Sequence, residues 1–424
     1  MKITKRSLFF LLVLFIVSDI LHYVSIVGYG TTAATYTDMT IKYTAIVIIL
    51  LYLRLVPWKQ DFSKTFLILF YSLLCWNAVT ALRGMQSAHG YLDWRMLFLT
   101  IIPFLLGPVI IQLGKKPQVI KTTVRFLYKY LFPFGFVLIP LAHFTNPELY
   151  SRIALPVITM ILFLPYIRPN RFLLTFFVAL LSMAVVLDFR TNIIKIVLST
   201  LILTTYYMPR GLGIKVVRLG RVIFFLMPLL LIFLAVIGDY NIFANTSQNN
   251  GYQVKDNQGQ AESLTQDTRT LLFSDVFATL QKNSTWLVGG GAVTTYSTDR
   301  NEFQEGKGRY ATEVGALNLL LYSGLIGLLL YGSLLCYTSY QAIFRSNNWL
   351  CKMIGLFLAT KWLLLFVEEF TQLDMNYYFL WLVVGLVANQ RFRALSDKDL
   401  REYFNFSTRK KTPHLIKMPP SLTS

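Results

Sequence analysis

The chain has 424 residues, 55% of them hydrophobic and 14% charged, with a net charge of +19 and a mean hydropathy of +0.52. About a quarter of a soluble domain's residues are charged, so this composition excludes a water-coated globule and selects lipid as the solvent. The basic residues recur in short clusters between apolar runs, which excludes the single basic patch of a nucleic-acid binder.

In chain order, apolar runs of spanning length fall at 7–28, 40–56, 65–83, 96–114, 122–143, 152–168, 171–188, 191–208, 221–238, 315–341, 350–369 and 375–391. The predicted fold is all-α and membrane-integral, with about twelve transmembrane helices and one large extracytoplasmic loop. Lys2, Lys5 and Arg6 precede the first run as in a signal peptide. No small-residue cleavage site follows, so an uncleaved first helix is expected. Pro103, Pro133, Pro140 and Pro228 lie inside runs and predict kinks. Cys75, Cys336 and Cys351 sit in or beside apolar runs and offer neither a disulfide framework nor metal-ligand spacing.

The connections sort by charge. Lys2/Lys5/Arg6, Arg54/Lys59/Lys64, Lys115/Lys116/Lys121, Arg168/Arg171, Arg210/Lys215/Arg218/Arg221, Arg345/Lys352 and the tail from Arg391 fall on one side, the cytoplasm by the positive-inside rule. The opposite segments carry a net −6 against +19 for the chain, which leaves +25 elsewhere. Both termini are thereby predicted to be cytoplasmic. The predicted division is 1–238 for spans one to nine, 239–314 for the large loop, 315–391 for the last three spans and 392–424 for a basic tail.

Within the loop, Asn245–Gln260 is rich in Asn, Gln, Ser and Gly and reads as flexible. Arg269, Phe273, Val276, Phe277 and Leu280 then recur at helical spacing, which predicts an amphipathic helix suited to the membrane surface. Trp286-Leu-Val and the triple glycine Gly289–Gly291 follow.

Arginines on the outer side run against the positive-inside rule. Arg83, Arg95, Arg152 and Arg190 sit at outer span ends, and Arg269, Arg300 and Arg309 in the loop. A guanidinium binds phosphate oxygens bidentately, so together these side chains suit a lipid-linked pyrophosphate. Individually, each can instead snorkel to headgroups or pair with an acid, as Asp188 with Arg190. Lys195, Lys361, Glu368, Glu369 and the Asp19/His22 pair are charges at or inside spans, open to structural pairing or to a proton relay. The histidines are scattered. Gly289–Gly291 lacks the Lys-Ser/Thr of a nucleotide-binding loop, and neither a metal site nor a cofactor is indicated.

Three runs carry a family resemblance: Asp267-Thr-Arg269-Thr-Leu-Leu-Phe273, Trp286-Leu-Val-Gly-Gly-Gly-Ala292, and Glu313-Val-Gly-Ala-Leu-Asn-Leu-Leu-Leu-Tyr-Ser-Gly324-Leu-Ile-Gly327. With the earlier Asp188-Phe-Arg190-Thr-Asn-Ile-Ile194, they resemble the O-antigen polymerase and ligase family over about 186–335. In the ligase branch the helix after the loop opens with a His-Asn-like pair. Glu313 holds that histidine position here, which points toward polymerase. The resemblance implies a glycosyltransferase of the bacterial cytoplasmic (inner) membrane that builds O-antigen, capsule or exopolysaccharide. It would move a glycan from undecaprenyl pyrophosphate onto another lipid-linked repeat unit, without a metal. Arg269 and Arg190 would stabilise the leaving pyrophosphate, with Arg309, Arg152 and Arg300 behind them, and Glu313 would serve as general base. For Glu313 a structural ion pair with Arg309 is the equal alternative. Gly289, Gly290 and Gly291 would let a glycan or backbone approach closely, and Gly324 and Gly327 would let helices pack tightly. Partners would be the lipid-linked oligosaccharide and membrane lipid, with a chain-length regulator and a flippase, and no nucleic acid. The alternatives are an O-antigen ligase, a multi-span transporter of glycans or other solutes, and a membrane acyltransferase using Asp19/His22.

Overall fold

A computed structural model of the chain describes residues 5–26, 32–53, 61–131, 160–167, 190–237, 253–255, 261–263, 268–297, 308–367 and 372–404. These are helical apart from short connections and one small hairpin. In order they form α1 (Lys5–Ile26), α2 (Thr32–Leu53), α3 (Lys64–Ser87), α4 (Tyr91–Gly114), α5 (Pro117–Phe126), α6 (Arg190–Tyr207), α7 (Arg210–Ile237), α8 (Thr268–Lys282), α9 (Gly315–Phe344), α10 (Trp349–Leu365), α11 (Met375–Ala388), α12 (Gln390–Ala394) and α13 (Asp397–Phe404). A 3-10 turn covers Met160–Tyr166. The hairpin pairs β1 (Gln253–Lys255) with β2 (Ala261–Ser263), antiparallel. It adds two short strands to the all-α expectation, and β1 gives pairing to part of the stretch read as flexible.

Among the described residues four helices are long and apolar enough to cross a membrane: Ala33–Leu51 within α2, then α3, α4 and α9. Shorter apolar helices cover Ser7–Leu21, Ile194–Tyr207 and Met375–Ala388. At about 1.5 Å per residue, the 22 residues of α1 or α2 match a hydrocarbon core of about 30 Å. The predicted span at 171–188 lies outside the described residues, and those at 122–143 and 152–168 are described only in part. Pro103 gives the expected irregularity. A π-helical turn, Leu97–Ile101, precedes it, because proline supplies no N–H to the preceding turn; the 3-10 turn that follows, Gly107–Ile110, holds a second proline, Pro108. Pro133 and Pro140 lie outside the described residues, and Pro228 lies inside α7.

The centre of the bundle is α11. Every residue from Met375 to Ala388 except Asn376 is buried, as expected of a helix apolar all round. It lies against α4 closely: a Cβ on Gly385 would stand 2.0 Å from the Ile111 carbonyl oxygen, and one on Gly114 2.1 Å from that of Leu382. Backbone meets backbone there, and a side chain at either position would separate the helices.

Among the described residues several buried charges are paired, which offsets their desolvation. Lys42 Nζ lies 2.8 Å from Asp38 Oδ2, with side chains 3% and 0% exposed. Ser18 Oγ donates to the other Asp38 oxygen. Asp19 accepts the Met375 N–H at the start of α11, which gives this acid a structural partner; the His22 side chain lies outside the described residues. At the predicted cytoplasmic end, Asp61 takes both Lys115 at 3.4 Å and Arg391 at 2.7 Å. Asn389 closes the same knot by donating to the Lys115 carbonyl.

One helix is broken. At Gly324 the backbone of α9 leaves the helical region, with φ 66° and ψ −171°. Here Gly324 is a breaker, which corrects its reading as a packing glycine. A Cβ at this position would lie 2.3 Å from the Leu287 carbonyl oxygen. Gly324→Ala therefore adds a clash to backbone strain of about 1–3 kcal/mol, and its thermal unfolding temperature in detergent should fall by several degrees. Gly211→Ala, in a helix with nothing within 4 Å of the added methyl, should be neutral or slightly stabilising in the same assay.

Candidate active site

The site grows from the break in α9. Interrupting a helix frees carbonyls and N–H groups that need partners inside a bilayer protein. The turn 286–291 supplies them. Gly290 N–H donates to Leu321 O, and Gly291 N–H to Tyr322 O. In return Leu325 N–H donates to Trp286 O, and Ile326 N–H to Leu287 O. Trp76 Nε1 donates to the Ser323 carbonyl from α3. Gly289 and Gly291 have φ of 69° and 99°, values that favour glycine. The close approach they permit is to protein backbone: a Cβ on Gly289 would lie 2.4 Å from Tyr322 O.

Arg83, one of the outer arginines, is committed to this turn. Its guanidinium donates to the Val288 carbonyl at 2.7 Å and the Gly289 carbonyl at 2.5 Å. Arg95 donates to Thr35 Oγ1. Helix α8 also differs from its expectation. Leu272, Val276 and Leu280 are buried within the protein, and Phe277 rests on Trp286 with ring centroids 5.1 Å apart. Part of the apolar stripe is thus covered by neighbouring protein, α9 included, where the sequence pattern suggested a face laid on lipid. Arg269 stands one turn before Leu272 and Arg190 opens α6; both side chains lie outside the described residues, as do Arg152 and Arg300 entirely.

Arg309 and Glu313 come together on the segment 308–314. Four anchors and one internal bond hold it. Arg309 exchanges both backbone hydrogen bonds with Tyr296, at 3.0 and 2.9 Å. Tyr310 Oη donates to Asp93 Oδ1, and Tyr322 Oη donates to the Tyr310 carbonyl. Buried Asn318 accepts the Thr312 N–H and donates back to its carbonyl. Thr312 Oγ1 accepts the Val314 N–H. On this mount the Arg309 guanidinium and the Glu313 carboxylate are 3.8 Å apart, with side chains 32% and 59% exposed. A pair that long and exposed contributes only about 0–1 kcal/mol. Structural pairing alone is thus a weak reason for either residue.

Asp93, Tyr310, Tyr296 and Asp275 complete the neighbourhood, and the sequence reading did not single them out. Asp93 also accepts the backbone N–H groups of His89 and Gly90. Its position three residues after Gly90 at a helix start is a capping pattern, the one signal that could have flagged it. Tyr296 is buried, and its phenol feels the charges of Arg309, Asp275 and Glu313. Burial pushes that phenol's pKa up, and the Arg309 charge opposes the shift. No group of three or more His, Cys, Asp or Glu is arranged to hold a metal among the described residues.

Burial, followed by the hydrogen bond to Asp93, pushes the Tyr310 phenol up to about 12, from about 10 in an unfolded chain. The folded pKa is raised, so this contribution to stability is intact below about pH 10 and is lost as pH rises toward 12. Tyr310→Phe should speed hydrogen exchange across 308–314 at neutral pH. Its deficit in thermal stability against wild type should shrink between pH 10 and pH 12.

Comparison with known proteins adds no constraint: no protein-family profile, no curated protein and no solved structure matches this chain.

Proposed function

We propose that the chain is a membrane polysaccharide polymerase, of O-antigen, capsule or exopolysaccharide type. In this reading about twelve spans place 239–314 outside the cytoplasmic membrane. There a glycan on undecaprenyl pyrophosphate is transferred to a sugar hydroxyl of a second lipid-linked repeat unit. The observation that supports it is the mount of Glu313 and Arg309: two accessible, opposite charges on a segment locked by hydrogen bonds at both ends, beside a broken helix. Rigid support of an exposed acid is what a general base needs and what a casual surface pair does not.

The chemistry follows from the groups. Glu313 takes the proton of the acceptor hydroxyl as its oxygen bonds to the donor's anomeric carbon. The bond from that carbon to the pyrophosphate oxygen breaks, and the pyrophosphate leaves on its lipid carrier. Negative charge grows on the leaving oxygen, and the guanidinium of Arg309, with Arg269 and Arg190, would stabilise it electrostatically. The buried Asp38–Lys42 pair and buried Lys361 favour transport as the second reading, since charge within a bundle often marks a pathway.

Deleting the gene in its host and resolving the extracted surface glycan by size separates these readings. Collapse of the repeat-unit ladder to one unit is the expected result. Long chains held on the lipid carrier would mean ligase, and an unchanged ladder would overturn both enzyme readings and leave transport. In a rescue, Glu313→Gln should lower polymer output by about 100-fold or more. Arg309→Ala and Arg269→Ala should each also lower it by about 100-fold. Each variant's level in the membrane is measured alongside.

A further inference from the structure

At the opposite end of the bundle, basic side chains gather between α7, α9 and α10. Helix α7 carries Arg218 and Arg221, one turn apart, against the last turns of α9. Arg218 lies over the Phe344 ring at 5.0 Å. Arg221 sits among three rings, 5.5 Å from Phe225, 5.8 Å from Tyr340 and 5.9 Å from Phe344. One Arg221 nitrogen donates to the Cys336 carbonyl at 3.2 Å, while its Nε is buried without a hydrogen-bond partner. Lys352, at the start of α10, donates to the Ser346 carbonyl, and the charge of Arg218 reaches it. Asp397, whose charge also reaches Lys352, already accepts the Tyr166 hydroxyl and the Trp349 N–H. Among the described residues no carboxylate forms an ion pair with Arg218, Arg221 or Lys352.

Neighbouring cations repel one another, most strongly where water is scarce, and Asp397 offsets this in part at Lys352. Ring stacking occupies a guanidinium's face and leaves its N–H edges free for oxygens. Leu219, Val222, Ile223 and Leu226, on the same stretch of α7, are large apolar side chains left exposed. Cations beside exposed apolar surface at the end of a membrane helix match a molecule with an anionic head and hydrocarbon tails.

We propose that the surface where α7 meets the end of α9 binds an anionic phospholipid, its phosphate held by Arg218, Arg221 and Lys352 and its acyl chains along Val222 and the exposed face of α7 beside Arg218. The site stands apart from the glycan chemistry, at the end carrying the basic clusters, and it does not depend on the polymerase reading.

The test uses the full chain purified in mild detergent. Lipid that co-purifies is quantified by native mass spectrometry, and delipidated protein is titrated with phosphatidylglycerol, phosphatidylcholine and inorganic phosphate. Wild type should retain phosphatidylglycerol and bind it at least tenfold more tightly than phosphatidylcholine. Arg218→Gln with Arg221→Gln should erase that preference, and Arg221→Lys, which keeps the charge and loses the fork, should fall between. Arg218 is exposed and Arg218→Gln disturbs no hydrogen bond, so it carries the test alone if the double variant does not fold; a threefold or greater loss is expected. Equal binding of both lipids by wild type, or an undiminished preference in Arg218→Gln, would overturn the proposal. Displacement of bound lipid by millimolar inorganic phosphate would reassign the surface to a soluble anion and overturn it as well.

Discussion

The structure around the candidate site depends on one constraint: a helix broken inside a membrane bundle must have its freed backbone groups satisfied by protein. At Gly324 the break releases carbonyls at Leu321, Tyr322 and Ser323 and N–H groups at Leu325 and Ile326. The turn 286–291 and Trp76 answer each of them. The exchange is reciprocal, so the loop is ordered by the helix as much as the helix is completed by the loop. Arg83 then ties the turn to α3 by taking two of its carbonyls. A loop carrying charged groups is thereby fixed to the scaffold largely by backbone bonds, which need glycine at Gly289 and Gly324.

From that dock the segment 308–314 inherits its position. Tyr322, one residue before the Ser323–Gly324 break, reaches the Tyr310 carbonyl, and Tyr310 reaches Asp93 at the start of α4. Asn318 and Thr312 lock the other end. The result is a stiff backbone bearing two accessible charges, Arg309 and Glu313. Elsewhere among the described residues, charge is closely paired at Asp38–Lys42 and gathered at the basic end around the rings of α7 and α9. These are distinct treatments of charge in one chain, and Arg309 and Glu313 are the pair whose side chains stay accessible.

Helix existence was legible because it follows from local rules. Long apolar runs need intramolecular backbone bonding in lipid, and Pro103 had to disturb its own turn. Gly289–Gly291 and Gly324 were legible as special positions, but their purpose was not. The close approach they permit joins two stretches more than thirty residues apart, and no periodicity records a non-local backbone exchange. Helix α8 shows the same gap. Its apolar stripe was readable at 3.6-residue spacing, but a stripe buried on protein and one laid on lipid have the same pattern. Arg83 read as an anion binder because residue type is visible and hydrogen-bond partner is not. Asp93 and Tyr310 were missed because each is ordinary until the other is brought beside it.

What the sequence determined by itself is the solvent and the elements: composition demands apolar surroundings, and run length and charge order propose the spans and their sidedness. Only the tertiary structure decided which polar groups are buried against the protein and which stay accessible. Arg83 and Asp19 are taken by backbone groups, Asp38 and Lys42 by each other, while Arg309 and Glu313 remain accessible at a separation too long for a strong pair. The reason is physical. Solvent preference is summed over local stretches of chain, whereas satisfaction of a polar group depends on atoms that folding brings to within about 3 Å.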